Sequence, residues 1–160
     1  MNRVWAPWRM EYLDDLHKGL KGGCVFCHAR DSKDDRNSLV LFRGKRAYIV
    51  LNRYPYINGH LLIIPNDHKG EIKEMDGETH QEIFSLAAKG IDALKAKMGA
   101  DGFNCGINLG RTAGAGIPEH FHFHVVPRWA GDHNFFPILG ETKSISEYLE
   151  KTYDRLLPGF

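Results

Sequence analysis

One run constrains this chain more than any other: His120-Phe121-His122-Phe123-His124-Val125-Val126-Pro127. Histidine and apolar residues alternate strictly, the period of a strand with two unlike faces. In a strand, residues at i, i+2 and i+4 share a face, so the spacing predicts a strand over 121–127. Its three imidazoles would line one surface, with Phe121, Phe123 and Val125 turned to the core. Rings two residues apart stand roughly 6.5–7 Å from each other, so each can address its own partner. The residues alone leave three readings open. The run can be a polar surface face, a catalytic metal site of the His-x-His type, or a set of rings with separate tasks. In the third reading one ring attacks phosphorus and another donates to phosphate, since neutral imidazole is a nucleophile near physiological pH.

The elements around the run predict the fold class. Ile83, Leu86, Ala87, Ile91, Leu94 and Met98 recur at three- and four-residue steps, which predicts a helix over 76–98. Asp76 is placed to cap its start and Gly99 to stop it. Strands are expected at Ala47–Asn52 and Leu61–Pro65, joined by the turn-rich segment Tyr54–Gly59, and at Phe103–Asn108 ahead of the histidine run. A second helix is expected over 144–157, with Ile145, Tyr148, Leu149 and Tyr153 on one side. The first forty residues read as loop. Strands, helix, strands and helix with short links argue for an α+β fold with an antiparallel sheet. The 160 residues suit one domain.

Charge and cysteine content narrow the function classes. Lys plus Arg number 21 against 20 for Asp plus Glu, so a broad cationic surface for nucleic acid is not expected. No apolar run approaches the ~20 residues that span a bilayer. The start, Met1-Asn2-Arg3-Val4-Trp5, does not read as a secretory signal. Three cysteines form no disulfide scaffold, which fits a reducing cytoplasm. Cys24-x-x-Cys27 is a candidate half of a metal site, or an unligated pair, and His28 beside it is a competing ligand. Cys105, inside an expected strand, reads as a small buried apolar residue. The segment Gly110–Gly116 reads either as a plain turn or as a loop whose amides, at Gly114 and Gly116 among others, cradle an anion.

The histidine run resembles the signature of the histidine triad (HIT) family, His-φ-His-φ-His-φ-φ with φ apolar. Asn52, Pro55, Gly59 and His60, the Leu61–Pro65 strand with His68 after it, and Asn108-Leu109-Gly110 also fit that family. The resemblance implies an open five-stranded antiparallel sheet, a half-barrel, with one long helix and a C-terminal helix. A single domain would then span 1–160, with an N-terminal zinc-associated segment to about residue 40 and the triad core over about 41–136. It implies that His122 is the nucleophile that takes a nucleoside monophosphate and that His124 hydrogen-bonds the phosphate and protonates the leaving group. Asn52 and His60 would touch the nucleoside or orient the pocket, and Asn108 would hold phosphate oxygens. In relatives that carry the Cys-x-x-Cys pair, two histidines join it; the matching positions are His68 and His120, a closed structural zinc set with Cys24 and Cys27.

The flanks Trp5-Ala-Pro-Trp8-Arg9 and Pro127-Arg-Trp129-Ala-Gly-Asp132-His-Asn134-Phe135 resemble the bacterial branch that contains diadenosine tetraphosphate phosphorylases and hydrolases. Trp129 would reach a nucleotide in its own or a partner subunit. One departure stands out. Where many triad hydrolases carry Gln followed by Ser or Thr, this chain has Gly114-Ala115-Gly116-Ile117-Pro118-Glu119, an opening for inorganic phosphate in place of water as acceptor. The expected activity is cleavage of dinucleoside polyphosphates through a nucleotidyl-His122 intermediate. The alternatives are an adenosine 5′-phosphoramidase and a nucleotide-binding sensor with little turnover. The resemblance also implies a homodimer.

Overall fold

The computed structural model describes residues 23–132 and 145–160. Trp5, Trp8 and Arg9, the exit residues Asn134 and Phe135, and the expected helix start at Ser144 lie outside the described residues. Two short helices open the described chain, α1 (Val25–Asp31) and α2 (Asp35–Ser38), where the sequence read as loop. Neither is long enough to show an apolar period. Asp34 caps α2 by accepting from the Asn37 amide.

Five strands form one antiparallel sheet in the order β1-β2-β3-β5-β4: β1 (Val40–Arg43), β2 (Ala47–Leu51), β3 (Leu61–Pro65), β4 (Gly102–Ile107) and β5 (Phe123–Arg128). The strands expected from sequence are present, Leu61–Pro65 with the expected bounds and the other three differing by a residue or two at their ends, and β1 is an addition. The residues of β2 and β3 are all buried, because each face of the sheet is covered. One cover is α3 (Gly77–Met98). Asp76 accepts from the Thr79 amide at its start, and Gly99, in the left-handed conformation at φ 61°, ends it. On the opposite face the Tyr48 hydroxyl donates to the Phe26 carbonyl at 2.6 Å, which ties α1 to β2.

The C-terminal helix, α4 (Leu149–Leu156), starts later than the expected 144, and a 3₁₀ turn (Leu157–Gly159) follows it. The delay has a cause in the residues before it. The Ser146 amide donates to Asn58 Oδ1 and Asn58 Nδ2 donates to the Glu147 carbonyl, both at 2.9 Å. Those bonds hold the segment off the helical path until Tyr148, whose ψ of 146° is still extended. Asn58 is buried and lies in the turn between β2 and β3. Next to it Gly59 has φ +80°, and a Cβ there would come within 2.8 Å of Met98 Sδ. Only glycine allows the turn that delivers His60 to the start of β3. Among the described residues, no helix is long and apolar enough to cross a membrane.

Candidate active site and metal centre

The histidine run enters β5 from a short approach segment. His120 and Phe121 precede the ladder, and pairing begins at Phe123, which lies opposite Ile63 and Ile107. His124 then sits between Leu62 of β3 and Gly106 of β4. All three histidines are buried, His120 at 0%, His122 at 7% and His124 at 8% exposure, so they do not form a solvated polar face. Partners have to satisfy them.

Each imidazole has its tautomer fixed by a neighbour. His122 Nδ1 lies 2.9 Å from the His120 carbonyl oxygen. A carbonyl only accepts, so Nδ1 carries the proton and the lone pair is on Nε2. Burial pushes the pKa of His122 below the ordinary histidine value, opposed by that hydrogen bond. The ring is therefore neutral at physiological pH, with a nucleophilic nitrogen.

A second chain of bonds orients His124. The Asn52 Oδ1 accepts from the Tyr54 amide, which turns its Nδ2 toward His60 Nδ1 at 3.1 Å. The Tyr56 amide also donates to His60 Nδ1 at 3.1 Å. His60 Nδ1 thus holds the lone pair, and His60 Nε2–H donates to His124 Nδ1 at 2.9 Å. The proton of His124 is left on Nε2, a buried atom with no hydrogen-bond partner among the described residues. Burial, with a smaller effect from His122, lowers the His124 pKa to about 4. The His122 and His124 ring centroids are 5.1 Å apart. A lone pair and an unspent N–H side by side suit a group that is attacked at one atom and loses a leaving group at another.

The far end of the run has the opposite character. His120 Nε2–H donates to the Pro65 carbonyl at 2.9 Å, which leaves a lone pair on His120 Nδ1. That nitrogen lies 3.2 Å from His68 Nδ1, 3.3 Å from Cys24 Sγ and 3.7 Å from Cys27 Sγ. Cys27 Sγ is 3.4 Å from His68 Nδ1, and the four ligand atoms all fall within 4.8 Å of one another. Ligand atoms at zinc-type bond lengths in a tetrahedron are about 3.3–3.8 Å apart. The donor set therefore fits a metal ion, and the Pro65 carbonyl is the kind of outer partner that aims a ligating histidine. His28 is exposed and outside this cluster.

Other expected residues fare differently. Asn108 is partly exposed, 3.5 Å from the Tyr56 hydroxyl, to which its Nδ2 donates. Gly114 and Gly116 are exposed in the loop between β4 and β5. The amides of Ala113, Gly114 and Ala115 donate to the carbonyls of Gly110, Arg111 and Gly110, so the Gly114 N–H is directed into the loop's own turn and not outward. Trp129 donates from Nε1 to the Met98 carbonyl at 3.0 Å, closing the end of α3. Seven residues at about 3.3 Å each carry it roughly 20 Å along the chain from His122, so within its own chain it does not line this site. Cys105 is exposed, since β4 is an edge strand.

Two aromatic residues escaped the sequence reading. Tyr56 stacks over His124, with centroids 5.7 Å apart and planes at 10°, and lies 4.5 Å from the His60 ring. Phe26 lies 5.5 Å from the His120 ring and 5.1 Å from the His122 ring. Tyr56 was read only as part of a turn and Phe26 only as a spacer between cysteines. Neither position carries a local signal for what it touches.

Comparison with known proteins points to a family. The chain is 37% identical over 158 residues to a Mycobacterium tuberculosis protein named AP-4-A phosphorylase, covering 95% of this chain and 80% of that one. It is 29% identical over 125 residues to the adenosine 5′-monophosphoramidase of Saccharomyces cerevisiae, covering 78% of this chain and 75% of that one. A crystal structure of a zinc-bound histidine triad family protein from Mycobacterium smegmatis superposes with a TM-score of 0.68 at 25% identity, over 86% of this chain and 92% of that one. The HIT domain itself matches residues 33–131, which contain both β3 with its incoming His60 and the whole histidine run. With that match added to the five-stranded sheet and its buried triad, the chain belongs to the HIT family of nucleotide hydrolases and transferases.

Proposed function

We propose that this protein cleaves dinucleoside polyphosphates of the diadenosine tetraphosphate type through a nucleotidyl-His122 intermediate. The observation that carries the reading is the pair of fixed tautomers, a lone pair on His122 Nε2 beside a proton on His124 Nε2. His122 Nε2 attacks the phosphorus of a nucleoside monophosphate unit. A P–N bond forms, the P–O bond to the remaining polyphosphate breaks, and His124 Nε2–H gives its proton to the departing oxygen. The acceptor then attacks the same phosphorus, the P–N bond breaks, and the acceptor's proton returns to His124. Asn52 and His60 act through His124, and Asn108 with the 110–116 loop borders the phosphates.

Inorganic phosphate is the acceptor in this reading. It is supported by the stretch Gly114–Glu119, which has no Gln, Ser or Thr ahead of His120, and by the 37% identical relative named as a phosphorylase. The amidase relative supports a second reading, in which the same attack on phosphorus releases an amine. Cys24, Cys27, His68 and His120 would hold zinc, which when bound supplies a structural cross-link with no open position for chemistry. That use of two thiols suits a cytoplasmic protein. The edge of β4, paired on that side by no strand among the described residues, and the exposed Phe84 of α3, at 64% exposure, support pairing with a second copy.

Incubation of diadenosine tetraphosphate with isotopically labelled inorganic phosphate tests the proposal. Labelled ADP plus ATP is expected. AMP plus ATP would replace phosphate by water as acceptor, and no cleavage, with no adduct trapped on His122 by rapid quenching, would overturn the reading.

A further inference from the structure

The metal cluster and the nucleophile meet at one side chain that the reaction itself does not use. Phe26 lies between two of the cluster's ligands in the run Cys24-Val25-Phe26-Cys27, at the start of α1. Cys24 occupies the N-cap without a side-chain cap bond, its thiol being 3.3 Å from His120 Nδ1. Val25 is exposed, whereas Phe26 is only 9% exposed and turned inward. Its ring meets His120 edge-on, at 5.5 Å and 89°, and the His122 ring at 5.1 Å and 53°. The Tyr48 hydroxyl holds its carbonyl. Val25 and Phe26 are adjacent, so exposing one and burying the other fixes which way the cysteine turn faces.

The restraints on His122 show what that ring can add. The bond from Nδ1 to the His120 carbonyl decides which nitrogen is protonated. One bond at one ring atom does not fix the ring plane, because the last torsion of a histidine side chain is broad. His124 bounds the ring on one side, at 61° between planes. Phe26 is a second wall, and an aromatic one, with preferred edge and face approaches. An in-line attack on phosphorus depends on where the Nε2 lone pair points, so the wall acts on the reaction through orientation.

We propose that Phe26 is a positioning residue that holds the plane of the His122 ring, so that an ion bound by Cys24, Cys27, His68 and His120 sets the aim of the nucleophile through it. The ion fixes the cysteine turn, the turn carries Phe26, and Phe26 packs on both the ligand His120 and the nucleophile His122. This rests on His122 as nucleophile, and the test is arranged so that the two ideas fail separately.

The test uses the full chain with Phe26→Leu and, as a second apolar substitution, Phe26→Met. Cobalt(II) absorption reports whether the thiolate-imidazole cluster still assembles. Isotope-labelled imidazole resonances of His122 are followed as zinc is added to metal-free protein, and kcat and KM are measured separately. In the unaltered chain zinc is expected to shift and sharpen the His122 signals. In the variants the cobalt spectrum is expected to persist, the zinc-driven change at His122 to shrink to less than about half, and kcat to fall roughly tenfold with KM little changed. An equal zinc response in variant and unaltered chain, an unchanged kcat, or loss of the cobalt spectrum in both variants would overturn the proposal. The resonance measurement needs no substrate. If it succeeds while a His122→Asn variant still turns over, the coupling stands and the assigned nucleophile falls.

Discussion

His120 and His124 lie four residues apart on one run and reach opposite chemical ends. At His120 the Nε2 proton is spent on the Pro65 carbonyl, so a lone pair faces outward toward His68 Nδ1, 3.2 Å away, and the thiols of Cys24 and Cys27. At His124 the Nδ1 lone pair is spent on a proton from His60, so an N–H faces outward with no acceptor among the described residues. The residue type is the same, and burial lowers both pKa values to about 4. What separates them is which ring nitrogen a neighbour occupies first. Converging ligand atoms make a cation site; an N–H beside a nucleophile makes a proton donor. His122 lies between, and its tautomer is decided by the backbone of His120.

The contrast can be broken most forcefully at the nucleophile. His122→Asn is expected to lower turnover of diadenosine tetraphosphate on the order of a thousandfold or more while binding of the uncleaved nucleotide survives. Steady-state rates with calorimetry on the same preparation check this. Removing the partner that holds the proton on His124 Nε2 comes next. His60→Phe takes away the donor to His124 Nδ1 and is expected to lower kcat roughly a hundredfold for a poor leaving group. The loss should be smaller for a nitrophenyl nucleotide ester, whose leaving group needs no proton. Equal losses on both would show that the His60–His124 relay does not deliver the proton.

At the other end, Cys27→Ser should remove one donor from the cluster and lower stability by several kcal/mol. Its thermal transition should move little on adding a chelator, whereas that of the unaltered chain should drop. The smallest effect is in acid. The unfolded chain protonates His124 near the ordinary 6.5, and the folded chain does so only near 4. Its contribution to stability is therefore complete above about 6.5 and is lost as the pH falls toward 4, on the order of 3 kcal/mol in full. Melting temperatures of His124→Gln should fall less steeply over that window than those of the unaltered chain.

Much of this was legible where the deciding physics is local. Asp76 and Gly99 mark the ends of α3 because a cap and a left-handed stop depend on adjacent residues. The alternation around His122 predicts the strand because period is a local property. The cysteine pair and its two histidines came from resemblance, and the structure places their four ligand atoms within 4.8 Å. The misreadings share another origin. Cys105 was expected to be buried, but whether a strand is central or at the edge depends on the order of strands that follow and precede it. Trp129 closely follows the histidines, but a strand carries its residues steadily away from its start, which leaves the expected reach to a nucleotide to a partner subunit. Phe26 and Tyr56 act through contacts made across the fold. The helices α1 and α2 are held by tertiary contacts and show no period.

The two bonds at Asn58 have a consequence for how the chain tolerates change. Its side chain grips residues 146 and 147, some 88 positions onward, while its backbone shapes the bend that sets His60 against His124. The carboxy-terminal end is thus a brace under the proton donor, although it supplies no atom to the reaction. Replacing the bend with one from a relative without an amide at position 58 would leave the Ser146 N–H and the Glu147 carbonyl without these partners and loosen the relay from a distance.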